Sequence, residues 1–295
     1  MKKLQKILAV AIASTAIAAP AVYAADISVS GFIDMSVSNK SGEDTSAGLD
    51  QFEIDLGYDF GEGLTATVDL EYQGSGVDLE QAFISYAVSD LVSVKAGRFL
   101  SRSGWETEEP TGLFQYSGTG YAKHFYGYYQ QGASVLVKGD MVDLGFSVVN
   151  SLTDPTATAG KPATETMVAL NLSDAVTVKG FYMEDDSTEM VNIWAAYSAD
   201  GLTLATEFSN SEKTGADADG YLLMANYAWD KYGVTVRYHE SEVTGTVPED
   251  LSAITLASSY AVTNDLLLVA EYRMDDNALT SESSDTFALE ALLTF

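Results

Sequence analysis

The chain has 295 residues, with 43 acids against 15 lysines and arginines, a formal net charge of −28 and no cysteine. Such acidity makes nucleic acid an unsuitable partner, and the lack of thiols excludes both a disulfide framework and a thiolate metal site. An exported fold with this composition must be held by backbone pairing.

At the N-terminus Lys2, Lys3 and Lys6 precede an apolar stretch from Ile7 to Ala19, then Pro20 and the small-residue pattern Val22-Tyr23-Ala24. This is the pattern of a secretory signal peptide spanning 1–24, with the mature domain at 25–295. The apolar run is shorter than the roughly 18 residues a spanning helix needs, and no later segment approaches that length.

From Ile27 onward the sequence alternates apolar and polar residues with a period of two. The first run offers Ile27, Val29, Gly31, Ile33 and Met35 on one face; the third offers Leu64, Ala66, Val68, Leu70 and Tyr72; the fifteenth offers Leu266, Leu268, Ala270 and Tyr272. None of these faces carries a charge, and lysine or arginine facing lipid at mid-bilayer would cost roughly 2–4 kcal/mol. About sixteen such runs predict an all-β, antiparallel transmembrane β-barrel, lipid outside and water inside.

Seven short connections carry turn chemistry: Phe60-Gly61-Glu62-Gly63, Ser89-Asp90, Gly139-Asp140, Ser173-Asp174, Ala199-Asp200-Gly201, Asp230-Lys231-Tyr232-Gly233 and Thr263-Asn264-Asp265. They predict tight hairpins. Between them, longer polar connections are expected near 39–48, 74–79, 100–122, 150–164, 185–189, 210–219, 242–251 and 275–284, giving short periplasmic turns and long external loops. Pro110, Pro155, Pro162 and Pro248 all fall in the latter, where no ladder hydrogen bond is lost.

Tyr58, Tyr86, Tyr197, Tyr227, Tyr260 and Phe295 close the descending strands, and Tyr72, Tyr182, Phe208, Tyr238 and Tyr272 the ascending ones. Two interfacial girdles follow. A soluble β-sandwich also alternates, yet it accounts for neither the twin belts nor the alternating connection lengths.

Sixteen strands leave a water-filled channel. The longest connection, the third external one from Leu100 to Lys123, contains Trp105, Glu106, Glu108, Glu109, Pro110, Phe114 and Tyr116; folded inward, it would be the constriction. By strand parity the lumenal bases are Lys95, Lys179, Arg237 and Arg273, with Arg98, Arg102 and Lys123 near the loop. The lumenal acids are Asp34, Glu53, Asp55, Asp69, Glu71, Asp143, Glu207, Glu271 and Glu290. Acids exceed bases on this wall, which predicts a modest cation preference.

Signal peptide, strand number, long third loop and terminal Phe295 together resemble the Gram-negative outer-membrane porins, both the general sixteen-stranded trimeric porins and the OmpL-like β-barrel porins. Ala96-Gly97-Arg98-Phe99 with Trp105-Glu106 beyond resembles their passage from strand to third loop. The resemblance implies passive diffusion of small hydrophilic solutes and ions through a homotrimer in the outer membrane of a Gram-negative bacterium, without cofactor or metal. It also implies contact with lipid and lipopolysaccharide, and Phe295 as a C-terminal signal for the outer-membrane assembly machinery. It sets Glu106, Glu108 and Glu109 against the basic wall, here Lys95, Arg98 and Arg102. The chain departs from the group in lacking a dense arginine ladder.

Three other readings stay open. Tyr121, Phe125, Tyr126, Tyr128 and Tyr129 could form a sugar track of a substrate-selective channel, or an external girdle and subunit contact. A non-conducting structural or adhesin barrel would show the same strands. An enzyme would have to use His124 or His239, and neither has serine or aspartate spacing that suggests a triad. The acids Glu184-Asp185-Asp186, Glu240-Ser241-Glu242, Glu249-Asp250 and Asp275-Asp276 could bridge lipopolysaccharide through divalent cations, although a solvated, salt-tolerant surface with no dedicated site is the favoured reading of them.

Overall fold

The structure is a computed structural model that describes residues 27–74, 76–106, 109–158 and 161–295. The signal-peptide segment and Glu108 lie outside the described residues. Sixteen antiparallel strands follow one another around a closed barrel, each paired with its neighbours in sequence, and the last returning to the first. They are β1 (Ile27–Lys40), β2 (Ser46–Gly61), β3 (Leu64–Tyr72), β4 (Val77–Ala87), β5 (Val92–Leu100), β6 (Tyr129–Lys138), β7 (Val142–Val149) and β8 (Ala163–Ser173). The second half comprises β9 (Val176–Glu184), β10 (Thr188–Ala199), β11 (Leu202–Lys213), β12 (Ala216–Trp229), β13 (Tyr232–Gly245), β14 (Glu249–Ala261), β15 (Leu266–Asn277) and β16 (Glu282–Thr294). A 3₁₀ turn (Pro110–Gly112) and a short helix, α1 (Ala122–Phe125), lie inside the third external connection.

Closure removes every sheet edge, which a span through lipid requires. At the seam Phe295 N–H donates to Gly31 O and Gly31 N–H to Phe295 O, both at 3.1 Å, while the Phe295 ring stays exposed. All seven predicted hairpins form. Asp200 and Gly201 have φ of 51° and 82°, as a two-residue turn matched to strand twist demands.

The external connections differ from expectation. Only the third, L3 (101–128), and the fourth (150–162) are long. The segments near 210–219 and 242–251 are mostly strand: Glu212↔Asp217, Asp219↔Glu242 and Glu242↔Asp250 are cross-strand partners. Above the lipid a strand needs no apolar face, so polar strand and polar loop read alike. The four prolines do lie outside strands.

The lipid face is as predicted. Ile27, Val29, Met35, Leu268 and Tyr272 are exposed, whereas their alternates Asp34, Ser36, Val269 and Glu271 are buried inward. At the short-turn end Tyr227, Trp229, Tyr232 and Tyr260 form a continuous aromatic run, with successive centroids 5.8, 5.9 and 5.2 Å apart. The lumen is less uniformly polar than expected. Phe99, Val149, Leu152, Met183 and Met190 form one buried apolar cluster, and Leu222, Met224 and Val243 join another with residues of L3.

Candidate functional site: the lumen and its third loop

L3 leaves β5 and crosses the lumen, and its sequence explains how it is held. Its aromatic half is greasy and needs cover. Tyr121, Phe125 and Tyr126 pack on Ala205, Ala218, Leu222, Met224 and Val243 of β11–β13, flanked by Trp105 and Phe114. Gly220 leaves the wall open for this packing, since a Cβ there would stand 2.6 Å from the Phe125 ring. The polar atoms of the same segment converge on Glu207. It accepts from Trp105 N–H at 2.5 Å, Tyr121 Oη at 2.6 Å and Tyr126 Oη at 2.5 Å. Burial and then the Glu207 carboxylate push both phenols well above their ordinary range, so they remain protonated donors.

Glu207 therefore organises three donors that would otherwise be buried without partners, each at a cost of about 1–3 kcal/mol. Glu207→Ala should release the aromatic half of L3 and make Lys123 a site of rapid tryptic cleavage in the folded barrel. Glu207→Gln, which keeps one carbonyl acceptor, should lie between wild type and Glu207→Ala. Equal cleavage of all three proteins would refute the anchoring role.

The acidic half of L3 is clamped further round. Glu106 Oε1 meets Arg237 Nη1 at 2.5 Å with both side chains almost fully buried. Arg237 Nη1 also donates to Ser117 O at 2.6 Å and its Nη2 to Thr255 Oγ1 at 3.1 Å. Thr119 N–H donates to Glu106 Oε2 at 2.8 Å and Gln115 Nε2 to Oε1 at 3.0 Å. Arg273 donates to Gly118 O at 2.6 Å, and Glu271 accepts from Ser117 N–H at 2.9 Å. On the far wall Tyr116 Oη is 3.0 Å from Ser36 Oγ and donates to Asp50 Oδ2 at 3.3 Å. Glu109 accepts from Tyr129 Oη at 3.0 Å and Gln51 Nε2 at 3.4 Å.

These contacts correct the pairing expected for the loop acids. Glu106 pairs with Arg237 on β13, not with Lys95, Arg98 or Arg102. Arg102 instead donates from Nη1 to Ser134 Oγ at 2.8 Å and from its backbone to Glu165 Oε1 at 3.3 Å. Lys95 Nζ lies 4.3 Å from the centre of the Phe83 ring, and the Arg98 guanidinium 5.8 Å from that of Tyr129. Lys179 Nζ is 4.9 Å from the Trp194 ring. The pentad of aromatics is corrected as well. Tyr121, Phe125, Tyr126 and Tyr129 are buried, so they serve neither as a solute track nor as an external girdle; only Tyr128 is exposed.

The remaining charges segregate. Lys95 and Lys179 both interact electrostatically with Arg102 at the start of L3, which makes a basic arc along β5–β9 into which Glu165 and Asp143 also reach. Asp34, Glu53, Asp55, Asp69 and Glu71 occupy β1–β3, and Glu271 and Glu290 extend the acidic arc onto β15 and β16. Two acids escaped strand parity. The register slips beside Asp50 in β2 and beside Glu80 in β4, and a bulge of this kind turns an extra residue inward. Glu80 is buried and Asp50 bonds the lumenal Tyr116. Asp143 lies near the short-turn end, where it accepts from Gly139 N–H at 3.2 Å. Lys123 and His124 reach Glu249 at 3.3 and 3.1 Å.

A family profile described as Gram-negative porin matches residues 8–279. The chain belongs to the Gram-negative porins. Its barrel is similar to that of in-vitro folded OmpT of Vibrio cholerae in its trimer form, with a TM-score of 0.71 at 13% identity, covering 92% of this chain and 100% of that one. The anion-selective porin of Comamonas acidovorans matches with a TM-score of 0.69 at 14% identity over 92% and 100% of the two chains. Salmonella typhi OmpF in complex with daunomycin gives 0.71 at 14% identity over 93% and 99%. Comparison with individual curated proteins gives no match. At such identities the solved structures speak for the barrel, and the family profile makes the protein a porin of the Gram-negative outer membrane.

Proposed function

We propose that this porin carries small hydrophilic solutes and ions passively and prefers cations modestly. The observation that carries the reading is L3, drawn across the lumen and clamped by the Glu106–Arg237 pair. Glu109 and the acids of β1–β4 border a path whose other side is the basic arc of Lys95, Arg102 and Lys179. With Arg237 and Arg273 bonded to the loop, the acids that remain exceed the bases, and fixed carboxylates favour the admission of cations. No energy source or cofactor is needed. No hydrolytic constellation surrounds either histidine among the described residues: His124 pairs with Glu249, and His239 stacks on Tyr121 at 5.6 Å. A channel without enzymatic activity is the reading that fits.

Residues 1–24 act as an export signal and Phe295 as the terminal signal for barrel assembly. The assembly is a homotrimer, as the trimer form of OmpT suggests by analogy. On the outer face of β4–β7 an apolar hollow contains the small Ala96 and Ala133 beside Ile84, Val94, Phe146 and Val148, a surface suited to a second copy. The external acids meet lipopolysaccharide.

Planar-bilayer recording of the refolded protein in a salt gradient tests the reading. Conductance steps in groups of three with a cation-shifted reversal potential are expected. Silence would overturn conduction and move a structural or adhesin role forward, and an anion-shifted potential would overturn the selectivity.

A further inference from the structure

Inside the barrel, β2, β3 and β4 bring together acids that no lysine or arginine among the described residues meets in an ion pair, although Lys95 acts on Asp69 at longer range. Glu53 stands directly opposite Glu71, and Asp55 directly opposite Asp69. Two successive like-charge pairs on one face destabilise a sheet, and carboxylates this close cannot all ionise without a counter-charge. The bulge in β4 adds Glu80 to the same place, and L3 adds Glu109. Carboxylate oxygens of Glu53, Glu80 and Glu109 lie within 4.8 Å of one another, and those of Glu53, Asp55 and Asp69 do likewise.

Burial makes the arrangement pointed. Glu53 is 5% exposed and Glu80 and Asp69 4% each, while Glu53 Oε2, Glu80 Oε2, Asp69 Oδ1, Asp55 Oδ1 and Glu71 Oε1 are buried without a hydrogen-bond partner. Among the donors that reach the group are neutral side chains: Gln81 to Asp69 at 2.6 Å, Ser30 to Asp55 at 3.0 Å, and Tyr129 and Gln51 to Glu109. Among the described residues no lysine or arginine comes within ion-pair distance of Glu53, Asp55, Asp69, Glu71 or Glu80.

We propose that Glu53, Glu80 and Glu109 bind a divalent cation, with Asp55 and Asp69 completing an anionic surround through Glu53. The chemistry selects Ca²⁺. A hard cation takes carboxylate oxygens, and Ca²⁺ accepts six to eight of them in irregular geometry, whereas Mg²⁺ demands a near-ideal octahedron and keeps its waters. Because Glu53 is on β2, Glu80 on β4 and Glu109 on L3, the ion ties the loop to the wall on the side away from Arg237. It neutralises part of the acidic arc at the same stroke. The site is independent of whether the channel conducts.

The test uses the full-length, detergent-solubilised protein stripped of metal with chelator. Tyr129, bonded to Glu109, is placed to sensitise Tb³⁺ luminescence, so saturable Tb³⁺ emission displaced by Ca²⁺ is expected. Glu80→Gln and Glu53→Gln should each weaken Ca²⁺ binding at least about tenfold, since affinity follows the charge count of the ligands. Wild-type crystals soaked in Tb³⁺ should show an anomalous peak between Glu53, Glu80 and Glu109, which places the ion without any variant having to fold. Absence of saturable binding at neutral pH would mean that the acids share protons instead, and would overturn the proposal. So would unchanged Ca²⁺ affinity in both variants, or a peak confined to external acids such as Asp185 and Asp186.

Discussion

Arg237→Ala should loosen L3 and make the channel larger and noisier. The guanidinium is fully buried and bonds Glu106, Ser117 and Thr255 at once. Removing one partner of such a pair strands the other charge away from water, a loss of about 3–5 kcal/mol. The sixteen-stranded ladder does not pass through this contact, so the penalty falls on the docking of the loop rather than on the barrel. Amide exchange in the segment 109–119 should accelerate by about a hundredfold to several thousandfold, the factor that such a free energy implies, while exchange in β14 and β15 stays slow. Single-channel conductance should rise and the open state should flicker. Glu106→Gln combined with Arg237→Met removes both charges and should recover much of the protection, because neither is then left unpaired. If Arg237→Ala changed neither exchange nor conductance, the clamp would have no part in holding the loop.

The contrast between the barrel and its contents shows what the residues could disclose in advance. Strand number, the seven hairpins and the lipid face were legible because each depends on neighbours two residues apart, and lipid penalises a charge at any one position. Outside the membrane that penalty vanishes, and the polar segment around Glu240-Ser241-Glu242 reads as loop although it pairs with both neighbouring strands. The destination of L3 is a different kind of problem. Glu106 and Arg237 lie 131 residues apart, and no local pattern marks them as partners; the family resemblance sets Glu106 against Lys95, Arg98 and Arg102 instead. Asp50 and Glu80 escaped parity because each sits at a register slip, where the period-two rule fails by construction. Glu207 was placed on the lumen wall correctly, yet its part as acceptor for two phenols could be seen only once Tyr121 and Tyr126 were known to turn inward. Those aromatics had a recognisable signal, a dense run next to a loop of acids, but a cluster of tyrosines looks the same whether it faces lipid, solute or the barrel's own core.

Neutralising the basic arc should shift selectivity more than any single acid replacement. Lys95, Arg102 and Lys179 lie on a part of the wall where L3 brings no compensating acid within ion-pair distance among the described residues. From the wall itself Glu165 meets the backbone of Arg102 and acts on the charges of Arg102 and Lys95, Asp69 acts on Lys95, and Asp143 acts on Lys179 from the turn end. A unit charge acts on a permeating ion about 7 Å away in water with roughly 0.6 kcal/mol, close to RT. Three charges that act together thus alter the local cation concentration by about an order of magnitude at low ionic strength. In the variant Lys95→Gln, Arg102→Gln, Lys179→Gln the ratio of cation to anion permeability should increase severalfold in dilute salt. The gain should shrink as the screening length falls to about 3 Å at molar salt. Arg237→Met paired with Glu106→Gln should leave that ratio nearly unchanged, since those two charges cancel within the clamp. The opposite pattern, a strong selectivity change from the clamp pair and none from the triple variant, would mean that ions pass along β13–β15 and that the basic arc borders no permeation path.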